Sequence, residues 1–274
     1  MVVFRRDDGF ALIVVLWTLV LIAFIVAHLT ANGRTEIRIA SNLVANSAAM
    51  AAADGAIFAA IYNLSDPHPE QRWPVDGSAR EVVVGNSRVT LRLEDEASWI
   101  NPSAGSPLLL EALLRTTGSD PDSAHEVATA ISEWVGSATA RQPQNTLLAE
   151  YRAAGRDYGP PGAPLESLGE LDRVLGMTPA VLAAIRPHLT LYGPPEPNPA
   201  STDPVVAAAV SVASPVQIAA TPAAQTPPDL LTVRITAVAS GPGNARVVRT
   251  AVARIGAALP NGYSVAAWGS DLNR

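Results

Sequence analysis

The sequence predicts an α+β fold with a long N-terminal helix and an antiparallel β-sheet, into which a large α-helical domain is inserted. Three observations lead to this prediction. The chain has no proline before Pro67, and its apolar side chains up to there recur at helical spacing. Alternating apolar segments near residues 82–93 and 231–255 predict strands. Between them lie about 100 residues with helical patterns.

The composition excludes several classes of function. A formal net charge of -6 argues against nucleic-acid binding, because no basic face would neutralise many phosphates. The chain has no cysteine, which excludes a disulfide framework, a thiolate zinc site and a cysteine nucleophile. The partner expected from this composition is a protein.

The N-terminal helix begins with a membrane-like segment. The 18 residues from Phe10 to Ala27 include one polar side chain, Thr18. This length is near the lower limit for crossing a hydrocarbon core of ~30 Å, and it exceeds the apolar core of an ordinary secretory signal. The helical pattern continues to Leu64, with apolar residues such as Ile37, Val44 and Ile57 assigned to one stripe. One helix of some 50 residues is the simplest interpretation; a break near Asn32 and Gly33 is the alternative.

A β-hairpin follows the helix. Val82 to Val84 form its first strand, Gly85 and Asn86 its turn, and Val89, Leu91 and Leu93 its second strand. Near the other end of the chain, residues 231–238 and 247–255 predict two more strands, and residues 262–270 predict a third.

Four helices are predicted between these strands. Leu108 to Leu114 form the first, and the second covers residues 119–135 with Ser123 and Glu126 spaced as a capping box. Residues 166–177 and 178–189 give two shorter helices, the latter capped by Thr178 with Pro179 at its first position. The stretch 192–228 is rich in Pro, Ala, Ser and Thr. It reads as a flexible linker with one short helix over residues 201–210.

Catalytic and metal-binding patterns are weak. No histidine pair has the i,i+4 spacing of a zinc site. Asp120, Asp122 and Glu126 suggest either a calcium site or helix capping, and capping is favoured. The acidic run Glu94, Asp95 and Glu96 is expected to cap a helix, to pair with Arg92 or to face solvent. We therefore expect no enzymatic activity, no catalytic residue and no confidently assigned metal ligand.

The leader resembles the processing site of type IV pilins and type II secretion pseudopilins, in which Gly-Phe follows a short charged segment. That resemblance implies cleavage between Gly9 and Phe10 by a prepilin peptidase, and N-methylation of Phe10. Most members of that superfamily carry a glutamate as the fifth mature residue. Here Val14 stands at that position, which is typical of the K pseudopilins.

Five further segments resemble the K pseudopilin family, in the family's order. They are "EDEASWINPS", "AISEW", "SLGELDRVLGMTPAVLAAIRPHLTLY", "NPASTDPVVAAA" and "YSVAAW". The resemblance implies a pilin-like helix and sheet with a large helical insert. It also implies calcium in that insert, but the residues after Trp134 lack the family's acids, so no metal ligand is carried over.

The resemblance and the patterns together give the expected division of the chain. The boundaries are a cleaved leader 1–9, a transmembrane half-helix 10–30, a periplasmic half-helix 31–66, first strands 67–94, a helical insert 95–191, a linker 192–228 and last strands 229–274.

The function implied by the resemblance is that of a non-enzymatic minor pseudopilin, which forms or initiates the tip of the periplasmic pseudopilus. The expected partners are minor pseudopilins of the I and J types, the inner-membrane secretion platform, prepilin peptidase and membrane lipid. The implied location is the inner membrane, single-pass, with a cytoplasmic N-terminus and a periplasmic head. Two alternatives are a minor pilin of a type IV pilus and a membrane-anchored periplasmic binding domain.

Overall fold

The computed structural model describes residues 8–136, 143–199, 201–217, 230–241 and 245–270. A five-stranded antiparallel sheet lies against the C-terminal half of a long helix, and a block of helices is inserted between the second and third strands. The α+β class predicted from the sequence is confirmed.

The long helix, α1, runs from Asp8 to Leu64. It passes through Asn32 and Gly33 without interruption, so the alternative of two helices is wrong. At 1.5 Å per residue it is roughly 85 Å long. Its N-terminal part projects beyond the sheet, because contacts between α1 and the strands come from the part that follows Val44.

The sheet is a meander of neighbouring strands in chain order. Its strands are β1 (Arg80–Val84), β2 (Ser87–Asp95), β3 (Leu231–Ser240), β4 (Arg246–Ile255) and β5 (Tyr263–Gly269). Val82 pairs with Val89, as expected for a hairpin turning at Gly85 and Asn86. Gly85 adopts a φ of +58°, a conformation that glycine reaches without steric cost. The predicted hairpin and the three predicted C-terminal strands are confirmed.

Small side chains bring α1 close to the sheet. The α1 residues buried in this core are Ala49, Ala52, Ala53, Ala56, Ile57, Ala60, Ile61 and Leu64. They pack against apolar residues of β2, β3 and β4, such as Leu91, Ile235 and Ala251. Ile57 belongs to the buried face, but Ile37 and Val44, which the sequence placed on the same stripe, are 70% and 69% exposed. The predicted helical period is confirmed, and the predicted stripe mixes buried with exposed residues, because an alanine-rich helix is apolar on several sides.

The insert contains five helices in its described residues. They are α2 (Pro107–Thr116), α3 (Pro121–Trp134), α4 (Gln144–Ala153), α5 (Pro179–Ile185) and α6 (Pro204–Gln217). They enclose a second apolar core, which includes Leu113, Ile131, Leu171, Ile185 and Val206.

Four of the five described helices in the insert, all except α4, begin with a short polar side chain followed by proline. Ser106 and Thr178 accept hydrogen bonds from the backbone N–H groups of Leu109 and Val181, so the predicted Thr178 cap is confirmed. The predicted capping box in α3 is wrong. Asp120 is the N-cap and accepts a hydrogen bond of 3.0 Å from the N–H of Ser123, because Pro121 takes the first helical position.

Two other segments of the insert differ from the predictions. Leu168–Arg173 forms a 3-10 helix in place of the expected α-helix, and its start is closed by the Glu170 carboxylate, which accepts from the N–H of Ser167 at 2.9 Å. The short helix predicted over residues 201–210 is present as α6, but it extends to Gln217 and packs on α2, where Val206, Ala209 and Val210 are buried, so this part is not a flexible linker. These residues have helical spacing, and Asp203 caps them. Residues 218–229 of the predicted linker lie outside the described residues.

Candidate functional site

The N-terminal part of α1 presents apolar side chains on all its sides. Leu12–His28 is an uninterrupted apolar stretch, and its large described apolar side chains are 46–72% exposed. The hydroxyl of Thr18 donates to the carbonyl oxygens of Val15 at 2.8 Å and of Val14 at 3.1 Å. Its polar group is therefore satisfied within the helix, as a lipid environment requires.

The part of the described chain that is long and apolar enough to cross a membrane by length and composition is a different segment of α1, and Leu12–His28 is shorter. Glu36–Leu64 is apolar and long enough to cross a membrane, and 39% of its most apolar window is buried within the protein. That window packs against the sheet, so burial within the protein explains its apolar character. The stretch Leu12–His28, in contrast, has no large apolar side chain buried among the described residues.

The side of α1 turned away from the sheet carries an apolar strip, which we call the outer strip. Its large members are Ile37, Val44, Phe58 and Tyr62, which are 50–85% exposed. They follow each other at intervals that place them on one helix face, with Ala48 and Ala51 between them. An apolar strip of this length at the surface is typical of a contact with other proteins.

One end of the outer strip is fixed to the edge of the sheet. The rings of Phe58 and Trp268 lie 5.3 Å apart between centroids. Arg249 in β4 donates from Nε to the Asp54 carboxylate at 2.9 Å and lies over the Trp268 ring at 5.9 Å. The position of α1 relative to β4 and β5 is thus set by polar as well as apolar contacts.

A buried ion pair joins the insert to the sheet. Glu96, with 0% exposure, accepts a hydrogen bond of 2.8 Å from Nε of Arg234 in β3, which is 7% exposed. The second carboxylate oxygen of Glu96 accepts from the hydroxyl of Thr190. The guanidinium of Arg234 also lies over the Trp99 ring at 4.5 Å. The expectation that Glu96 caps, pairs with Arg92 or faces solvent is wrong, because its partner comes from a strand 138 residues later.

The chain segments that leave and rejoin the sheet are held side by side. The backbone N–H of Ile100 donates to the carbonyl of His188 at 3.0 Å, and the N–H of Thr190 donates to the carbonyl of Ile100 at 2.9 Å. The amide of Asn101 donates to the carbonyl of Gly193 at 2.9 Å. A Cβ at Gly193 would lie 2.8 Å from the carbonyl oxygen of Glu96, so a side chain does not fit there. We call Glu96, Thr190, Gly193 and Arg234 the junction.

The other acidic candidates serve local structure. Asp95 caps the turn that follows β2 by accepting from the N–H of Ala97 at 2.9 Å, and burial raises the pKa of its carboxyl. Hydrogen bonds from Ser123 lower the pKa of Asp120. His125 and His188 pair with Glu111 and Asp203, at 2.9 Å and 2.6 Å.

A calcium site does not fit the residues present. In the described part of the chain, no three His, Asp or Glu side chains are placed so that they could hold a metal ion. Residues 135–149 contain no acid. Calcium needs six to eight oxygen ligands, so the region that carries acids in related sequences lacks the donors.

The comparisons with known proteins concern the region just described. The family model for type II secretion system (T2SS), protein K matches residues 91–195. The matched residues begin in β2, cover α2 to α5 and end just after Gly193. They therefore contain both chain segments that lie side by side where the chain leaves and rejoins the sheet. The matched residues are less than half of the chain, and over them the sequence is similar to the protein K family.

A solved structure supports the same fold over nearly the whole chain. A chain of the crystal structure of the GspK–GspI–GspJ complex from the enterotoxigenic Escherichia coli type 2 secretion system is similar, with a TM-score of 0.54 and 14% identity. The similarity covers 88% of this chain and 99% of that chain. Among curated proteins, no sequence matches significantly. The similarity to this solved structure shows the fold.

The residues with predicted roles in the protein K family lie at the start of α1. Gly9 and Phe10 are in its first turn, and Phe10 is 73% exposed. Val14 is 46% exposed on the apolar stretch. Their roles in processing and assembly stay predictions.

Sequence reasoning missed Arg234 and Trp268. A single charged residue inside the alternating strand "LTVRITAV" was the available signal for Arg234, since a charge within a central strand needs a buried partner.

Proposed function

We propose that this chain is the minor pseudopilin that forms or initiates the tip of the pseudopilus of a type II secretion system, the fibre that exports folded proteins across the outer membrane. The observation that carries the proposal is the lack of any acidic residue from Phe10 to Thr35, with Val14 exposed on the helix surface. A carboxylate in an apolar surrounding is costly without a partner. A subunit that lacks it needs no earlier neighbour and suits the first position.

The proposed anchor is residues 10–30 of α1. The apolar stretch Leu12–His28 lies within it and is compatible with a single-pass membrane anchor. Leu12–His28 spans roughly 25 Å, close to the hydrocarbon thickness of ~30 Å. We place it in the inner membrane, with the N-terminus cytoplasmic and the sheet and insert periplasmic. Processing by prepilin peptidase between Gly9 and Phe10, with methylation of Phe10, leaves this helix on the mature chain.

The proposed partners in the fibre are minor pseudopilins of the I and J types, which the similarity to the GspK–GspI–GspJ complex supports. The outer strip is the surface of α1 that such helices would contact. The alanine face of α1 is not available to them, because Ala49, Ala53 and Ala56 are fully buried under the sheet. The secretion platform of the inner membrane would receive the assembled complex.

The bulk of the head supports a terminal position. The insert is fixed to the sheet by the buried junction, so it does not swing away from the fibre axis independently. A rigid head of that size would collide with neighbours inside a regular helical array, whereas at an end it meets neighbours on one side only.

Mass spectrometry of the N-terminus of the chain, expressed with a prepilin peptidase, tests the processing step. We expect a methylated Phe10 as the first residue. An intact Met1, or cleavage near Ala31, contradicts the proposal.

Replacing Val14 by glutamate tests the tip position. We expect Val14→Glu to reduce pseudopilus initiation and secretion, because the new carboxylate requires a partner. Val14→Leu is the matched control, since it changes the same side chain without adding a carboxylate. Unchanged fibre initiation and unchanged cross-links to I and J pseudopilins in Val14→Glu would remove the argument from Val14.

A further inference from the structure

We call the segment of the insert from the end of α3 to Gly162 the excursion. We infer that backbone contacts and aromatic rings hold the two ends of the excursion together, and that its stability is independent of calcium. The inference concerns the fold of the insert and stands apart from the position of the subunit in the fibre.

Two glycines close the base of the excursion. The N–H of Gly162 donates to the carbonyl of Trp134 at 3.1 Å. Gly136 has a φ of +67°, and a Cβ there would lie 2.8 Å from the carbonyl oxygen of Gly162 and 2.9 Å from its carbonyl carbon. The two backbone segments therefore touch directly, and a side chain at Gly136 would push them apart.

Three aromatic rings connect the excursion to the end of α3. The centroids of Trp134, Tyr151 and Tyr158 are 5.8–6.2 Å apart in all three pairs, in tilted or edge-on arrangements that favour aromatic contact. Trp134 and Tyr151 are 3% and 2% exposed. The indole N–H of Trp134 has no hydrogen-bond partner among the described residues, so packing alone positions this ring.

The hydroxyl groups of the two tyrosines extend these contacts to the next segment. The Tyr151 hydroxyl accepts from the N–H of Leu175 at 3.2 Å, and the Tyr158 hydroxyl donates to the carbonyl of Arg173 at 3.4 Å. The excursion is thus connected to α3 by its rings and to the turn before α5 by its hydroxyls.

The carboxylates near the excursion are not arranged as a cation site. Glu126, Glu133 and Glu150 line a shallow groove of about 360 Å³ together with His125. In the portion of the insert that the structure describes, they do not converge to the spacing that a metal ion requires. The groove is the place where an unexpected cation would bind, and the experiment includes that outcome.

Calcium titration of the full chain in detergent tests the inference directly. We expect the same Tm in EGTA and in millimolar calcium, and no heat of binding in calorimetry. An increase in Tm of more than about 2 °C with calcium, or saturable binding in calorimetry, overturns the inference.

A pair of glycine variants tests the closure itself. Gly136→Ala and Gly155→Ala both place alanine at positive φ, +67° and +76°, but a Cβ at Gly155 meets nothing within 4 Å. Both variants therefore introduce backbone strain, and only Gly136→Ala also disrupts the contact with Gly162. We expect Gly136→Ala to have the lower Tm, in EGTA and in calcium alike. Equal Tm values for the two variants, or restoration of Gly136→Ala by calcium, contradict the inference.

Discussion

Neutralising Glu96 is the sharpest test of how the insert is fixed to the sheet. Glu96→Gln keeps the shape of the side chain but leaves the guanidinium of Arg234 buried without its counter-charge. Both groups are less than 10% exposed and 2.8 Å apart. Removing one partner of such a pair costs about 3–5 kcal/mol. For a chain of this size we expect Tm to fall by about 6 °C or more.

The assay is thermal and urea unfolding of the full chain in detergent, followed by circular dichroism. Glu81→Gln is the matched control. The ion pair that Glu81 forms with Arg88 is 3.7 Å long, and the side chains are 63% and 70% exposed. Its loss should change the free energy of unfolding by less than about 1 kcal/mol.

A double replacement separates charge from packing. Glu96→Met combined with Arg234→Met removes both charges and fills similar volume, so it should recover most of the stability lost in Glu96→Gln. A Glu96→Gln variant as stable as Glu81→Gln would refute the reasoning, since it would show that no uncompensated charge is left buried.

Three further predictions concern other parts of the fold. Burial raises the pKa of the Tyr151 hydroxyl from 10.0 to about 12. The neutral hydroxyl therefore stabilises the folded chain fully below pH 10, and this contribution is lost as the pH rises through 12. Between pH 10 and 12, the free energy of unfolding of Tyr151→Phe should therefore fall by about 2 kcal/mol less than that of the wild type, as measured by urea unfolding. Equal decreases in the two proteins would contradict this. Ala56→Leu should lower the free energy of unfolding by about 1–3 kcal/mol, because Ala56 is fully buried under the sheet. Ala51 is exposed, so Ala51→Leu should change the stability little. Equal effects in thermal unfolding would mean that the sheet packs on another face of α1. Asp120→Ala should lower the free energy of unfolding by loss of the α3 cap, which Asp122→Ala retains. The reverse order in urea unfolding would identify another cap.

Local patterns in the sequence predicted most of the elements. The hairpin at Gly85, the strands of the C-terminal region and the helix start at Thr178 depend on neighbouring residues, so they can be read from short windows. The resemblance at Gly9 and Phe10 and along the insert indicated the family. What these patterns have in common is that the relevant contact is close in sequence.

The errors arose where alanine or distance in sequence concealed the contact. Alanine made the phase of α1 ambiguous, and it concealed that the short helix predicted over residues 201–210 packs against α2 as α6. The partners of Glu96 lie 94 and 138 residues further along the chain, so no local pattern signals its burial. The junction is therefore a property of the folded chain that requires the structure to be seen.

The meander order of the strands has a consequence for the size of the head. β2 and β3 are direct neighbours, and their ladder ends at the pair Asp95 and Val233. Everything from Glu96 to Leu230 thus occupies the position of a hairpin loop, and its core shares no residue with the core under α1. The helix and sheet therefore have an apolar core of their own, and the length of the chain between β2 and β3 does not enter into it.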